Sequence, residues 1–133
     1  MKLSRASSYA ASAVAYMATK KPDKPIASHL VAKALGIPEL FLLKVLKSLV
    51  SARILGSLKG PNGGYRLARP AKDISLLDIV EAVDGPIRGE VPPVGQDKSD
   101  GKLDKRLDAV CKETAELVRE RFKKIKIANL AGK

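Results

Sequence analysis

A mainly α fold with one small β-hairpin is predicted by three features of this 133-residue chain. Two short amphipathic segments flank Gly36-Ile37-Pro38. A pair of short apolar runs follows, joined by Pro61-Asn62-Gly63-Gly64. A long two-row amphipathic stretch, about 103–125, closes the chain. Helix, tight turn, helix and hairpin in that order outline a winged helix-turn-helix, and the last stretch adds a long C-terminal dimerisation helix. The expected organisation is 1–85 for the winged domain, 86–102 for a loop and candidate effector region, and 103–133 for the dimerisation helix and terminal segment.

Ser4 or Ser7 can cap a first helix reaching about Thr19, with Tyr9, Ala13 and Tyr16 or Met17 on one face. Lys20 to Pro25 contains two prolines and breaks the helical pattern. A short second helix from Ser28 to Gly36 is expected to bury Val31 and Leu35. Pro38 suits the first position of a third helix. That helix runs from about Glu39 to Ala52, with Leu42, Val45, Leu46 and Leu49 inward and Lys44, Lys47 and Ser51 on another face.

The hairpin lies within Ile54–Arg69. Pro61 presets φ at the second turn position, Asn62 tolerates the left-handed region, and Gly63 and Gly64 let backbone lie close to another surface. Lys59 and Arg66 flank the tip. Beyond it, Ser75 caps a helix in which Asp78 completes a capping box and Leu76, Leu77, Ile79, Val80 and Val83 supply core. Gly85-Pro86 ends that helix. Residues 86–101 hold three prolines and three glycines, too many for a helix or central strand, and read either as a functional loop or as a linker. In the final helix Leu107, Val110, Thr114 and Leu117 form one row, and Cys111, Val118, Phe122 and Ile125 a second. Two rows exceed what one short domain needs to cover, so pairing with the same helix of a second subunit is expected; folding back on its own domain is the competing reading.

Charge is distributed unevenly. Residues 1–72 contain thirteen Lys or Arg against only Asp23 and Glu39, whereas the remainder balances at twelve of each sign, so the net +11 belongs to the half that holds the hairpin. A polyanion, most simply double-stranded DNA, is the implied partner. No run approaches the roughly 18 apolar residues of a membrane span. The first residues do not read as a secretory signal, and a cytoplasmic, nucleoid-associated protein is expected. A single cysteine forbids an internal disulfide. Catalysis has no support: there is one histidine, no phosphate-binding Gly-Lys-Ser/Thr loop and no nucleophile beside a base.

Candidate DNA-binding residues sort by chemistry. Lys2, Arg5, Ser8 and Tyr9 suit phosphate contacts that fix register. His29 can meet a phosphate or stand idle on the surface. Around Pro38, Glu39 can accept from a cytosine amino group or favour the helix N-terminus. Leu43 offers only apolar contact, for example to a thymine methyl, while Lys44 can reach a guanine edge or a phosphate, with Lys47 on the same face. At the wing, Asn62, Gly63 and Gly64 can enter the minor groove beside Pro61 and Tyr65, with Lys59 and Arg66 on flanking phosphates.

Gly60-Pro-Asn-Gly-Gly-Tyr-Arg-Leu-Ala-Arg-Pro70, followed by Asp73-Ile-Ser-Leu-Leu-Asp-Ile-Val-Glu-Ala-Val-Asp-Gly-Pro86, closely resembles the signature of the Rrf-two family of bacterial winged-helix regulators. Lys2-Leu3-Ser4, Tyr9-Ala10, Gly36-Ile37, Leu42 and Ile127-Ala128-Asn129-Leu130 extend the resemblance over nearly the whole chain. It implies a homodimeric transcription factor on palindromic operators, commonly a repressor, dimerising through the long C-terminal helix. A small-molecule or protein effector acting between the 86–101 loop and that helix is a further expectation.

Two departures from the family qualify the resemblance. Iron-sulfur members carry three closely spaced cysteines in the loop before the dimer helix; here the loop has none, and no cofactor or metal is expected. Cys111 sits in an apolar row and reads as an inert side chain rather than a redox sensor. The recognition helix places Leu43-Lys44 where members usually show a polar pair, often Glu-Gln. The competing function is therefore a non-sequence-specific architectural or RNA-binding winged helix.

Overall fold

Ser4 takes extended backbone and its hydroxyl accepts the Ser7 N–H at 3.0 Å, which starts helix α1, Arg5–Ala18. The chain is described by a computed structural model over residues 1–20, 24–91 and 101–132. The inward face of α1 is Ala10, Ala13, Val14 and Met17, whereas Tyr9 and Tyr16 are only half-buried. Small side chains let α1 lie close against its neighbours, so the aromatic row moves to the edge of the core.

Helix α2, Ser28–Leu35, buries Val31 and Ala32 and leaves Leu35 half-buried at its edge. It ends at Gly36, whose left-handed φ of 67° is needed to turn the chain. Helix α3, Glu39–Ser51, buries the expected four, Leu42, Val45, Leu46 and Leu49. Pro38 is its N-cap, with ψ at 127°, one position earlier than the sequence suggests.

Strands β1, Leu55–Leu58, and β2, Gly64–Leu67, pair antiparallel with Leu55 opposite Leu67 and Leu58 opposite Gly64. The Gly63 N–H closes the turn on the Gly60 carbonyl at 3.0 Å. Asn62 keeps an ordinary negative φ; the left-handed positions fall on Gly60 and Gly64. With Pro61 and Asn62 as its two central residues the turn needs no positive φ between them. A short bridge enlarges the sheet: Ile26 and Tyr65 exchange two backbone hydrogen bonds of 2.8 Å. This anchors the hairpin beside the N-terminus of α2.

After a single 3-10 turn, Ala71–Asp73, Ser75 and Asp78 form the expected capping box at the start of helix α4, Leu76–Asp84. Leu76, Leu77, Ile79 and Val80 are buried, and Val83 is half-buried. Helix α5, Lys102–Lys124, has no buried residue, yet its C-terminal end returns to the body. Leu76 donates to the Ile125 carbonyl and Ile127 to the Ile74 carbonyl, each at 2.8 Å. A last turn, α6, Ile127–Leu130, then places the Ile127 side chain in the same core as Val14, Leu42, Leu46, Ile54 and Ile79. Among the described residues no buried side-chain nitrogen or oxygen lacks a hydrogen-bond partner.

Candidate nucleic-acid interface

Because α3 buries Leu42, Val45, Leu46 and Leu49, its opposite face must carry Leu40, Leu43, Lys44 and Lys47, spaced i, i+3, i+4 and i+7. Lys44 and Lys47 are exposed and Leu43 is half-buried. Two contacts fix the first turn of this face. The rings of Tyr9 and Phe41 meet edge to face at 5.3 Å and 86°, and the Ser28 hydroxyl donates to Glu39 Oε1 at 3.3 Å. The start of α3 is thereby joined to α1 and to the start of α2, where His29 is exposed in the first turn. Glu39 is thus engaged by Ser28 and also lies where a negative charge favours the helix N-terminus.

The hairpin sits beside the same corner through Ile26, which immediately precedes Ala27 and α2. Lys59, Pro61 and Asn62 are exposed at its tip, while Gly63, Gly64, Tyr65 and Arg66 are half-buried. A Cβ on Gly64 would stand 2.4 Å from the Ile26 carbonyl, and one on Gly63 2.1 Å from the Leu58 oxygen. The surfaces these glycines approach are therefore the protein's own backbone, which suffices to require them.

Lys2, Arg5 and Ser8 are exposed at the start of α1. This start is held to the end of α4, since both the Ser4 and Ser7 hydroxyls donate to Asp84 Oδ2 at 2.6 Å. Lys2 also lies at the mouth of a cavity of about 560 Å³, walled by Met1, residues 84–90 and α5. Gly89 touches α5 so closely that a Cβ there would meet the Cys111 carbonyl carbon at 2.1 Å. Arg119 pairs with Glu81, which also accepts the Ile87 N–H at 2.9 Å. Further along α5, Asp108 hydrogen-bonds Lys112 at 2.8 Å and holds its ammonium above the ordinary lysine range.

The two rows of α5 face different ways. Cys111, Val118 and Phe122 line the cavity, and Ile125 is the helix C-cap. Leu107, Val110 and Leu117 are 41, 57 and 71% exposed, with Thr114 between them at the cavity edge. The segment 92–100, the larger part of the expected effector loop, lies outside the described residues.

Leu40 on this face and Arg53 at the exposed end of α3 were both missed in the sequence. Leu40 is 79% exposed in the first turn of α3, and its spacing to Leu43, Lys44 and Lys47 was the available signal. Arg53, between α3 and β1, is the one non-glycine residue with a positive φ, 61°, among the described residues. No sequence pattern marks it.

The profile described as Rrf2, iron-dependent transcriptional regulator, matches residues 3–133. A Mycobacterium tuberculosis protein whose name carries the designation HTH-type transcriptional regulator is 37% identical over 87 residues, 65% of this chain and 54% of that protein. The HTH-type transcriptional regulator IscR of Photobacterium profundum is 32% identical over 84 residues, 63% of this chain and 49% of that protein. The chain thus spans about half the length of the curated relatives it matches. Among solved structures, oxidized Staphylococcus aureus CymR superposes with a TM-score of 0.74 at 25% identity, covering 98% of this chain and 96% of that one. These relatives are transcriptional regulators, not enzymes. The donors here do not fit an iron-sulfur centre, which needs several thiolates, because the chain holds one cysteine. Among the described residues no three His, Cys, Asp or Glu side chains converge on a metal position. With a winged helix-turn-helix, a long C-terminal helix and a family profile matched from residue 3 to the end, the chain belongs to the Rrf2 family.

Proposed function

We propose that this protein is a homodimeric, sequence-specific DNA-binding transcriptional regulator that represses from palindromic operators without an iron-sulfur cluster. The observation that carries the reading is the α3 face of Leu40, Leu43, Lys44 and Lys47, which takes no part in the core, in a helix whose start is joined through Ser28 to the segment that pairs with the basic hairpin. Residues 1–85 contact DNA: α3 lies in the major groove, the tip around Lys59, Pro61 and Asn62 enters the minor groove, and Lys2, Arg5, Ser8 and His29 meet phosphates. Residues 103–133 hold the dimer through the exposed row of Leu107, Val110 and Leu117. Two such domains, roughly 34 Å apart, address successive turns of one face of the duplex. The cavity between residues 84–90 and α5 is the effector site, and the Asp84 contacts to Ser4 and Ser7 connect its wall to the DNA-contacting start of α1. Such a role places the protein in the cytoplasm, on the nucleoid.

Selection of bound duplexes from a random pool at near-physiological salt tests this reading. The expected result is an inverted repeat held at least about a thousandfold more tightly than a scrambled copy. Recovery of no motif, with equal affinity for both duplexes, would replace the regulator with a binder driven by charge and shape.

A further inference from the structure

On the face of α3 that projects away from the core, the first two positions are leucines. Leu40 is 79% exposed and Leu43, one turn on, is half-buried, followed on the same face by exposed Lys44 and Lys47. Neither leucine can donate or accept a hydrogen bond. An apolar pair within a cationic stripe matches one feature of the major groove, whose floor is polar except where the thymine C5-methyl projects. We infer that Leu40 and Leu43 read thymine methyl groups, so that each half-site is specified at its centre by apolar contact while Lys44 and Lys47 supply the attraction to phosphate or guanine.

Discrimination follows from both signs of the interaction. Against thymine, the leucines remove a methyl and their own branched ends from water, which is favourable. Against cytosine, guanine or adenine they would strip water from edge donors and acceptors and offer nothing in return, which is costly. Presentation of the pair is rigid. Phe41 is held by the Tyr9 ring and Glu39 by the Ser28 hydroxyl, so the turn bearing Leu40 is fixed from both sides before DNA arrives. Little ordering entropy is then lost on contact.

The inference rests on the regulator reading, and its test separates the two. Each conserved thymine of the selected operator is replaced by deoxyuridine, which deletes the methyl and keeps every hydrogen-bonding group. The protein as it stands is compared with the Leu40→Ala/Leu43→Ala variant, whose folding is verified by its melting curve; Leu40→Ala alone, at an exposed position, is the control should Leu43 prove structural. The expected result is about a fourfold loss of affinity per contacted methyl for the native protein, the ratio for withdrawing one buried methyl group, and no loss for the variant. An operator that is recovered but indifferent to deoxyuridine, or equally sensitive in both proteins, overturns the thymine readout and leaves the regulator standing. Recovery of no operator defeats the regulator reading, and the readout with it.

Discussion

Arg53 occupies a conformation that suits another residue. The end of α3 closes with Ile54 donating to the Leu49 carbonyl at 3.0 Å and Arg53 to the Val50 carbonyl at 2.9 Å. That double closure requires a left-handed residue between them, usually glycine. Arg53 meets the requirement at φ 61°, where a Cβ costs on the order of 1 kcal/mol. Its side chain is exposed at the junction of α3 and β1, where a contact in the proposed DNA complex would give the strain a use. Arg53→Gly is therefore expected to raise the unfolding free energy by about 0.5–1 kcal/mol in urea titrations and to weaken binding to any duplex, operator or scramble, to the same degree. Lower stability in the glycine variant would show that contacts of the arginine side chain outweigh the strain. Asp84 illustrates the opposite economy, one carboxylate oxygen serving two hydroxyls, one of them on the fully buried Ser7.

At the scale of elements, the proposed dimer rests on α5. Its inner row is turned to the body by the Arg119–Glu81 pair and by Gly89 lying flat on the Cys111–Lys112 backbone, which leaves Leu107, Val110 and Leu117 outward. Leu107→Asp/Leu117→Asp replaces two of those exposed leucines without touching the core. The expected outcome is a folded monomer by light scattering, with operator affinity reduced about a hundredfold or more because two half-sites are no longer engaged together. A dimer that survives the double substitution would place the interface elsewhere. How α5 divides its rows was not legible in the sequence, since the spacing of Leu107 to Leu117 and of Cys111 to Phe122 is equally helical. By contrast, the inward set of α3 and the Ser75–Asp78 capping box were legible, because each depends on residues within a turn or two. In α1, periodicity found Ala13 and Met17, which are buried, and set beside them Tyr9 and Tyr16, which pack only partly buried at the edge of the core. The Ile26–Tyr65 bridge and the Ser4–Asp84 bond, 80 residues apart, are non-local and leave no pattern to read. Leu40 was legible but hidden, an apolar residue at the correct spacing on the face where polar groups are sought.

For the whole molecule, the division of charge bears directly on the proposed binding of DNA. In the proposed complex the +11 excess of residues 1–72 would attract the duplex, whereas residues 73–133, which contain the outward face of α5, carry no net charge. An interface built from phosphate contacts releases counterions in proportion to their number, so the logarithm of the association constant falls linearly with the logarithm of salt concentration. The slope counts contacts, which makes it a test of placement. Lys44→Ala/Lys47→Ala removes two cations from the exposed α3 face and leaves its four buried residues in place. If both ammonium groups meet phosphate, the slope becomes shallower by roughly 2, at about 0.9 per contact, and operator and scramble weaken alike. If instead Lys44 bonds a guanine edge, the slope changes by about half as much and operator affinity falls more than that for the scramble, by a factor set by about 1–3 kcal/mol. Fluorescence anisotropy between about 50 and 200 mM salt distinguishes these outcomes. An unchanged slope would remove α3 from the groove and assign the attraction to the hairpin and the start of α1.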